Sequence, residues 1–493
     1  MLIEIQKINH VHLRIFTDPG VAQELSEFFT FEMPGARFTP QFRARLWDGK
    51  IRMFDIHRKT LYVGLEKYVY DFAERNGYTV KVIDQREPIE EVSAEEVEEF
   101  AKWLNPCSRG KPIMIYDYQI EAVRKALTDE RVLLLSPTAS GKSFIIYTTM
   151  RWHLENKRKC IIIVPTTSLV EQLYTDFEDY SSENGWKTNR HVQKLYSGFT
   201  KEFGADVLIT TWQSIYKQPS NWFAQFDVIF GDEAHNFKAA SLKTCMEKMP
   251  GIRYRVGTTG TLDNKKVHKL VLEGMFGPVH KVISTRELMD TNRVANLKIT
   301  CLLLKHDEVT RQIANKSAYA DEMNLIVTNE SRNKFIRNLA INCDGNTLVL
   351  FQYVAKHGKI LYDMIKEKAG KRKVFFIYGG TDTEAREEAR KLMEKEKDAI
   401  CLASFGVFST GINIPSIENV IFASPSKSKI RNLQSIGRGL RLKEGKTHCN
   451  LFDIADDLHW KSWKNHTLGH FAERLKTYSE EKFTYKIVEV EIG

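Results

Sequence analysis

The sequence predicts an α/β fold with two open parallel sheets, preceded by a small α+β unit. Three observations lead there. Short apolar runs recur from about residue 112, separated by helix-like stretches, and they fall into two series. Buried parallel strands read this way because helices cover both of their faces. The first hundred residues have a different texture, and 493 residues are too many for one ordinary core.

The first series is Val132–Leu135, Ile161–Val164, Val207–Ile209, Val228–Phe230 and Tyr254–Val256. The second is Thr347–Phe351, Val374–Ile377, Ile400–Ala403, Val420–Ala423 and Asn450–Ile454. Between them Glu308–Asn342 is polar and helix-like, and the junction falls near residue 290. In the first hundred residues, Ile3–Phe16 alternates as one half-buried strand would. Leu65–Asn76 reads as a helix ending at Gly77, and Tyr78–Ile83 as a strand. An acidic stretch comes next, in which Ser93 and Glu96 have the spacing of a capping box and predict a linker helix. The expected divisions are 1–90, a linker helix over 91–111, 112–289, and 290–493 with a C-terminal extension.

Composition narrows the class. Hydrophobic residues at 42% and charged residues at 27% are an ordinary globular mix. The net charge of +9 comes from 72 basic against 63 acidic residues, so any grip on a polyanion must be local. Seven cysteines without a C-x-x-C pair argue against a zinc site or disulfide framework and fit a reducing compartment. Residues 1–16 lack the apolar core of a signal peptide, and no stretch is long and apolar enough to span a bilayer. A cytoplasmic protein with no membrane partner is expected.

Ser136-Pro-Thr138-Ala139-Ser140-Gly141-Lys142-Ser143 follows an apolar run and opens a helix-like stretch, Phe144–Glu155. Strand, loop and helix are the context a phosphate-binding loop needs. Main-chain N–H groups of the loop can converge on phosphate oxygens of ATP. Lys142 places a cation at the outer phosphates, and the Ser143 hydroxyl can ligate Mg²⁺. Position 136 is Ser where the general pattern has Gly.

Asp232-Glu233-Ala234-His235, a DEAH box, directly follows the run that ends at Phe230. A carboxylate at a strand end can hold the Mg²⁺ that bridges phosphates, and a second can orient and deprotonate water. Asp232 is assigned to metal and Glu233 to water. Gln434-Ser-Ile-Gly-Arg438-Gly-Leu-Arg441 offers two arginines on one helical face. A positioned guanidinium stabilises the charge of phosphoryl transfer, worth on the order of 10³ to 10⁵ in rate. Without the other motifs, the arginines would read as a surface pair and the carboxylates as a turn.

With these motifs in this order, the chain resembles the superfamily 2 helicases over about residues 112–455. Tyr118-Gln119 with Glu121-Ala122 resembles the adenine-reading motif, which implies that Gln119 bonds the base. The family often has Arg two residues before that Tyr, where this chain has Tyr116. Val164 to Gln172 and Thr210-Thr-Trp-Gln213 resemble the nucleic-acid motifs of the first lobe. Thr259-Gly-Thr261 stands where Ser-Ala-Thr is usual. Leu348–Phe351, Ser409–Asn413 and Gln434–Arg441 resemble the motifs of the second lobe. The resemblance implies two RecA-like domains, a catalytic set of Lys142, Glu233, Gln434, Arg438 and Arg441, and ATP with Mg²⁺ as cofactors.

Over its whole length the chain is similar to the recombination helicases of T-even bacteriophages. The shared residues include Phe28-Phe29, Trp47-Asp-Gly49 and Gly406-Val-Phe-Ser-Thr-Gly411. That implies a DNA helicase in host cytoplasm that remodels forks and Holliday junctions and unwinds RNA–DNA hybrids. A monomer is expected, with single-strand-binding or recombination proteins as partners.

A motor that travels along any sequence should hold the backbone. Thr166, Thr167, Thr211, Gln213 and Thr410 suit that role within the family pattern; otherwise such threonines are turns or caps. Residues 37–59 carry seven basic side chains, among them Arg43 and Arg45, interleaved with Phe38, Phe42, Trp47 and Phe54. Basic groups can neutralise phosphates while aromatics stack on bases. The competing reading is a hairpin whose aromatics form core and whose charges are merely exposed; the expectation is that the aromatics are core and that the basic face meets DNA. Rival readings are an RNA helicase, a double-stranded DNA translocase subunit of a restriction or remodelling complex, and a non-hydrolysing scaffold.

Overall fold

A computed structural model describes the chain apart from Pro34, residues 85–87, 89–90, 197–202, Ala239, residues 263–265, 411–413, Pro415, residues 441–445 and Gly493. The side chains of Lys238, residues 240–242, Thr383, Ser409, Thr410 and residues 429–431 also lie outside the description. There are two compact units: Met1–Ser136 with Gly141–Val282, and Ile283–Gly493 with the short stretch Pro137–Ser140.

The first unit begins with β1 (Leu2–Lys7), β2 (His12–Phe16), β3 (Thr30–Glu32), β4 (Lys50–Arg52), β5 (Thr60–Tyr62) and β6 (Thr79–Ile83). Strands β5-β2-β1-β6 form one sheet, and β3 pairs with β4. The single strand expected over Ile3–Phe16 is two antiparallel strands. The Asn9 side chain accepts from the N–H groups of Val11 and His12 at 2.7 and 2.9 Å and turns the chain. Ile3, Ile5, Leu13 and Ile15 all face the core, so the alternation runs on across the turn and hides it. The helix Glu66–Asn76 stops at Gly77, whose φ of +68° is the left-handed cap that glycine accepts readily. The linker helix is Ala94–Trp103, and both bonds of the Ser93–Glu96 capping box are made.

The aromatic core expected for this hairpin holds at Phe54 and is corrected at Phe38, Phe42 and Trp47. Between β3 and β4 the chain coils into two short helical turns, the second capped by Thr39. Phe54 is buried, Phe42 and Trp47 are half-buried, and Phe38 is 78% exposed. Trp47 Nε1 donates to Lys50 O at 2.9 Å instead of entering a core.

This small sheet has no core wholly its own. Ile5, Phe29 and Phe54 belong to the same buried cluster as Val267 and Leu270 of the helix Lys266–Phe276. A Cβ added to Gly64 would lie 1.8 Å from Glu273 O. Tyr68 Oη donates to Glu273 Oε2 at 2.6 Å, and Tyr62 Oη donates to Glu247. Arg131 Nη2 donates to His10 O at 2.9 Å, and His10 N–H to Pro250 O at 3.1 Å.

After a two-residue hairpin, β7 (Cys107–Ser108) and β8 (Lys111–Pro112), comes the first parallel sheet. Its strands are β9 (Arg131–Leu135), β10 (Cys160–Val164), β11 (Val192–Leu195), β12 (Val207–Thr211), β13 (Val228–Gly231), β14 (Tyr254–Thr259) and β15 (Val279–Lys281). Their order is β11-β12-β10-β13-β14-β9-β15. All five runs read from the sequence are strands in it, and β11 and β15 extend its edges.

The second unit repeats the plan with β16 (Asn296–His306), β17 (Thr347–Phe351), β18 (Lys373–Ile377), β19 (Ala399–Ser404), β20 (Asn419–Phe422), β21 (His448–Asp457) and β22 (Tyr485–Ile492). Their order is β18-β19-β17-β20-β21-β16-β22, and every pairing is parallel. Its interior includes Asp456, fully buried and bonded by Arg332 Nε at 2.8 Å and His306 Nε2 at 2.9 Å. Burial alone would raise the Asp456 pKa, but Arg332 and His306 outweigh it and hold the carboxyl at about 2. All seven cysteines are free and buried.

Candidate active site

The loop after β9 and the carboxylates after β13 stand at the carboxyl ends of two strands that both pair with β14. In open α/β sheets ligands bind at those ends. Ser136 N–H donates to Thr259 O at 2.8 Å, which fastens the start of the loop to the end of β14. Ala139 and Gly141 have φ of +70° and +83°, a left-handed backbone that folds the loop tightly. Lys142 opens the helix Lys142–Glu155, and its Nζ donates to Ser136 O at 3.2 Å. Ser143 Oγ lies 2.9 Å from Tyr180 Oη.

Gln119 lies in the first turn of the helix Asp117–Thr128 and is buried. Its Oε1 accepts from Tyr116 N–H at 3.0 Å. Its Nε2 would be 2.4 Å from a Cβ at Gly141, so any side chain there would strike it. Tyr116 stacks on Tyr118 with ring centroids 5.8 Å apart.

Asp232 Oδ1 accepts from Thr258 Oγ1 at 2.7 Å. Burial and then the adjacent Glu233 push its pKa up, against the pull of Lys142. Two neighbouring carboxylates with this deficit of positive charge fit a small divalent cation, and Mg²⁺ commonly takes one or two carboxylates plus phosphate oxygens. Glu233 has a positive φ of +48°. His235 Nδ1 lies 3.3 Å from Glu233 Oε2 and 3.0 Å from Thr259 Oγ1. Asn236 Nδ2 reaches His235 Nε2 at 3.2 Å, which makes Nε2 the acceptor and places the ring proton on Nδ1. Thr259 Oγ1 donates onward to Thr261 O at 2.9 Å.

In the second unit, Gln434 and Arg438 lie four apart on the helix Lys429–Gly439 and are mostly buried. Arg441 lies outside the described residues. Thr410 ends the helix Phe405–Thr410, and its side chain is likewise outside them.

Of the residues read as nucleic-acid contacts, Thr166 caps the helix Thr167–Tyr180, its Oγ1 accepting from Leu169 N–H at 3.4 Å. Thr211 is buried with Oγ1 3.0 Å from Ser214 Oγ. Thr167 and Gln213 are exposed, as are Arg43 and Arg45 on the small domain.

Sequence reasoning gave no role to Thr258, His235 or Tyr180. His235 lies inside the Asp232–His235 box and Thr258 directly precedes Thr259–Thr261, so motifs already singled out were a usable signal for both. Tyr180 is 37 residues from Ser143, and no spacing announces it.

The family described as "DNA helicase UvsW, N-terminal" matches residues 3–84. "Type III restriction enzyme, res subunit" matches residues 112–264, and "Helicase conserved C-terminal domain" residues 331–443. The chain is 35% identical to the ATP-dependent DNA helicase UvsW of Enterobacteria phage T4, covering 98% of this chain and 99% of the relative. It is 23% identical to the DNA 3'-5' translocase XPB2 of Sulfurisphaera tokodaii over 67% of this chain and 80% of that one. The crystal structure of T4 UvsW matches with a TM-score of 0.53 at 32% identity, covering all of both chains. The ATP-dependent Type ISP restriction-modification enzyme LlaBIII bound to DNA shares the fold alone, with a TM-score of 0.57 at 16% identity over 78% of this chain and 32% of that one. Similarity that runs nearly end to end through both chains shows that this protein belongs to the UvsW family of ATP-dependent DNA helicases.

Proposed function

We propose that the chain is an ATP-driven motor that remodels branched DNA, moving forks and four-way junctions and opening RNA–DNA hybrids in phage recombination, repair and replication control. The observation that carries this reading is the joining of the Lys142 loop and the Asp232–Glu233 carboxylates to one strand, β14, in a chain related to UvsW along its whole length. Main-chain N–H groups of Thr138, Ala139, Ser140 and Gly141 cradle phosphate, and Lys142 places its charge at the outer phosphates. Gln119 reads the base. Ser143 and Asp232 would hold Mg²⁺, which supplies charge neutralisation to the phosphates when bound. Glu233 orients the attacking water and takes its proton. Gln434, Arg438 and Arg441 act on the charge of the transferring phosphoryl group.

Thr166, Thr167, Thr211, Gln213 and Thr410 grip the backbone, while Arg43 and Arg45 meet duplex phosphates. Moving a junction is nearly balanced, because one pair forms as another breaks and stacking is ~1.4 kcal/mol per step. The motor then supplies direction, and one chain in the host cytoplasm is enough, with single-strand-binding or recombination proteins as partners. An ATPase assay over single strand, duplex, fork, four-way junction and RNA–DNA hybrid tests the proposal. Fork and junction should stimulate most; stimulation by single-stranded RNA alone would sink it. The match of residues 112–264 to a restriction subunit favours a second reading, a duplex translocase, for which turnover should grow with duplex length.

A further inference from the structure

We propose that Tyr180 is a positioning residue that fixes the Ser143 hydroxyl at the metal end of the phosphate loop; this rests on the reading of Ser143 as a magnesium ligand. Tyr180 is the last residue of the helix Thr167–Tyr180, and its Oη lies 2.9 Å from Ser143 Oγ. Its ring stands edge-on to Phe144 at 5.3 Å and against Tyr147 at 5.4 Å, both on the helix that Lys142 opens. Tyr147 is itself buried, packs on Phe177 at 5.4 Å, and accepts from Arg151 Nη1 at 2.9 Å through its hydroxyl. The Tyr180 hydroxyl therefore sits at the end of a ring held on two sides.

A serine hydroxyl has one proton and two lone pairs, and it rotates freely unless a partner stops it. To turn a lone pair towards a cation, Ser143 must point its proton elsewhere, and the Tyr180 oxygen is placed to receive it. If Tyr180 donates instead, one lone pair of Ser143 still remains for the cation. The first arrangement places the proton and the second narrows the rotor to two orientations, which is how a supporting group sharpens a binding atom. The helix that ends in Tyr180 begins with Thr167 and is capped by Thr166, about 20 Å away at 1.5 Å per residue. One rigid element thus carries a proposed nucleic-acid contact at one end and the orienting hydroxyl at the other.

The test is Tyr180→Phe, which keeps the ring and removes the hydroxyl. Affinity for a fluorescent ATP analogue is measured against magnesium concentration, with the melting temperature alongside. Losing one hydrogen bond should raise the magnesium needed for half-maximal binding roughly 2- to 10-fold. Binding in EDTA and the melting temperature should not move. Ser143→Ala should shift the magnesium requirement at least as far, and the double variant no further than Ser143→Ala alone. A wild-type magnesium dependence in Tyr180→Phe, or full additivity in the double variant, overturns the role of Tyr180 while leaving Ser143 in place. If Ser143→Ala also leaves the dependence unchanged, the metal assignment of Ser143 falls and this inference falls with it.

Discussion

His235 Nδ1 lies 3.0 Å from Thr259 Oγ1, so a single imidazole ties the segment that carries Glu233 to the end of β14. The residue before it, Thr258, bonds Asp232 at 2.7 Å. Two consecutive threonines of one strand therefore hold both parts of the acidic segment. A shift at Thr259–Thr261 would be felt at the residue assigned to water.

His235→Ala removes that tie and leaves Lys142 and Asp232 in place. Turnover should fall on the order of 10- to 100-fold, the usual cost of losing an outer partner. Nucleotide affinity should stay close to wild type. Equal loss of both would mean that the imidazole only supports the fold.

Glu233→Gln keeps the shape and removes the base. Steady-state turnover should drop on the order of 10² to 10⁴-fold, and Lys142→Ala should also abolish it. Band-shift affinity for forked DNA should be retained in both. Turnover near wild type in either variant would refute the assignment.

Arg438→Ala should reduce the single-turnover hydrolysis rate on the order of 10³ to 10⁵-fold, the span seen for arginines that act on a transferring phosphoryl group. ATP affinity should change far less. A drop confined to affinity would count against a role in the transition state.

Arg332→Met leaves Asp456 buried beside His306 alone. Breaking a buried pair from one side costs about 3 to 5 kcal/mol. Urea unfolding followed in the second unit should report a loss of that size. A neutral result would show that the carboxyl takes up a proton or finds another donor.

Acid should weaken the fold through His153 and His357. Burial lowers both from the usual 6.5 to about 3, helped by Arg158 for the first and Arg332 for the second. Between those values the unfolded chain binds protons that the folded chain does not. Stability is therefore complete above about 6.5 and is lost as pH falls towards 3. At pH 5 the loss is about 2 kcal/mol for each group, from 1.36 kcal/mol per pH unit. Denaturation at pH 7.5 and pH 5, repeated with His153→Gln, measures it, and the substituted chain should lose less on acidification.

Much of the fold was legible because its central strands are buried on both faces. Val132–Leu135 and Thr347–Phe351 are continuous apolar runs, and both are strands. Most of the strands that escaped notice lack such a run. Strand β22 has exposed Ile487 and Val488 between charges, and β11 and β15 are short edge strands. Strand β16 does hold one, Cys301–Leu304, but Lys298, Lys305 and His306 flank it and it sits beside the polar junction. The nucleotide motifs were legible because a loop and two carboxylates are local in the chain. The hydroxyl of Tyr180 and the buried partnership of Arg332 with Asp456 were not, since long-range pairs leave no periodicity.

Gly64 meets Glu273 O where a methyl group would have no room, and Val267 and Leu270 are roofed by the amino-terminal sheet. Cutting the chain after residue 90 would thus peel one wall from the engine block and leave an oily surface facing water. Such a cut confounds a lost grip with a sticky, misfolding remnant. Charge reversal at Arg43 and Arg45 spares that wall and asks about grip alone. Because the sheet and the helix Lys266–Phe276 share one buried cluster, a load placed on that sheet would pass to the unit that carries Lys142.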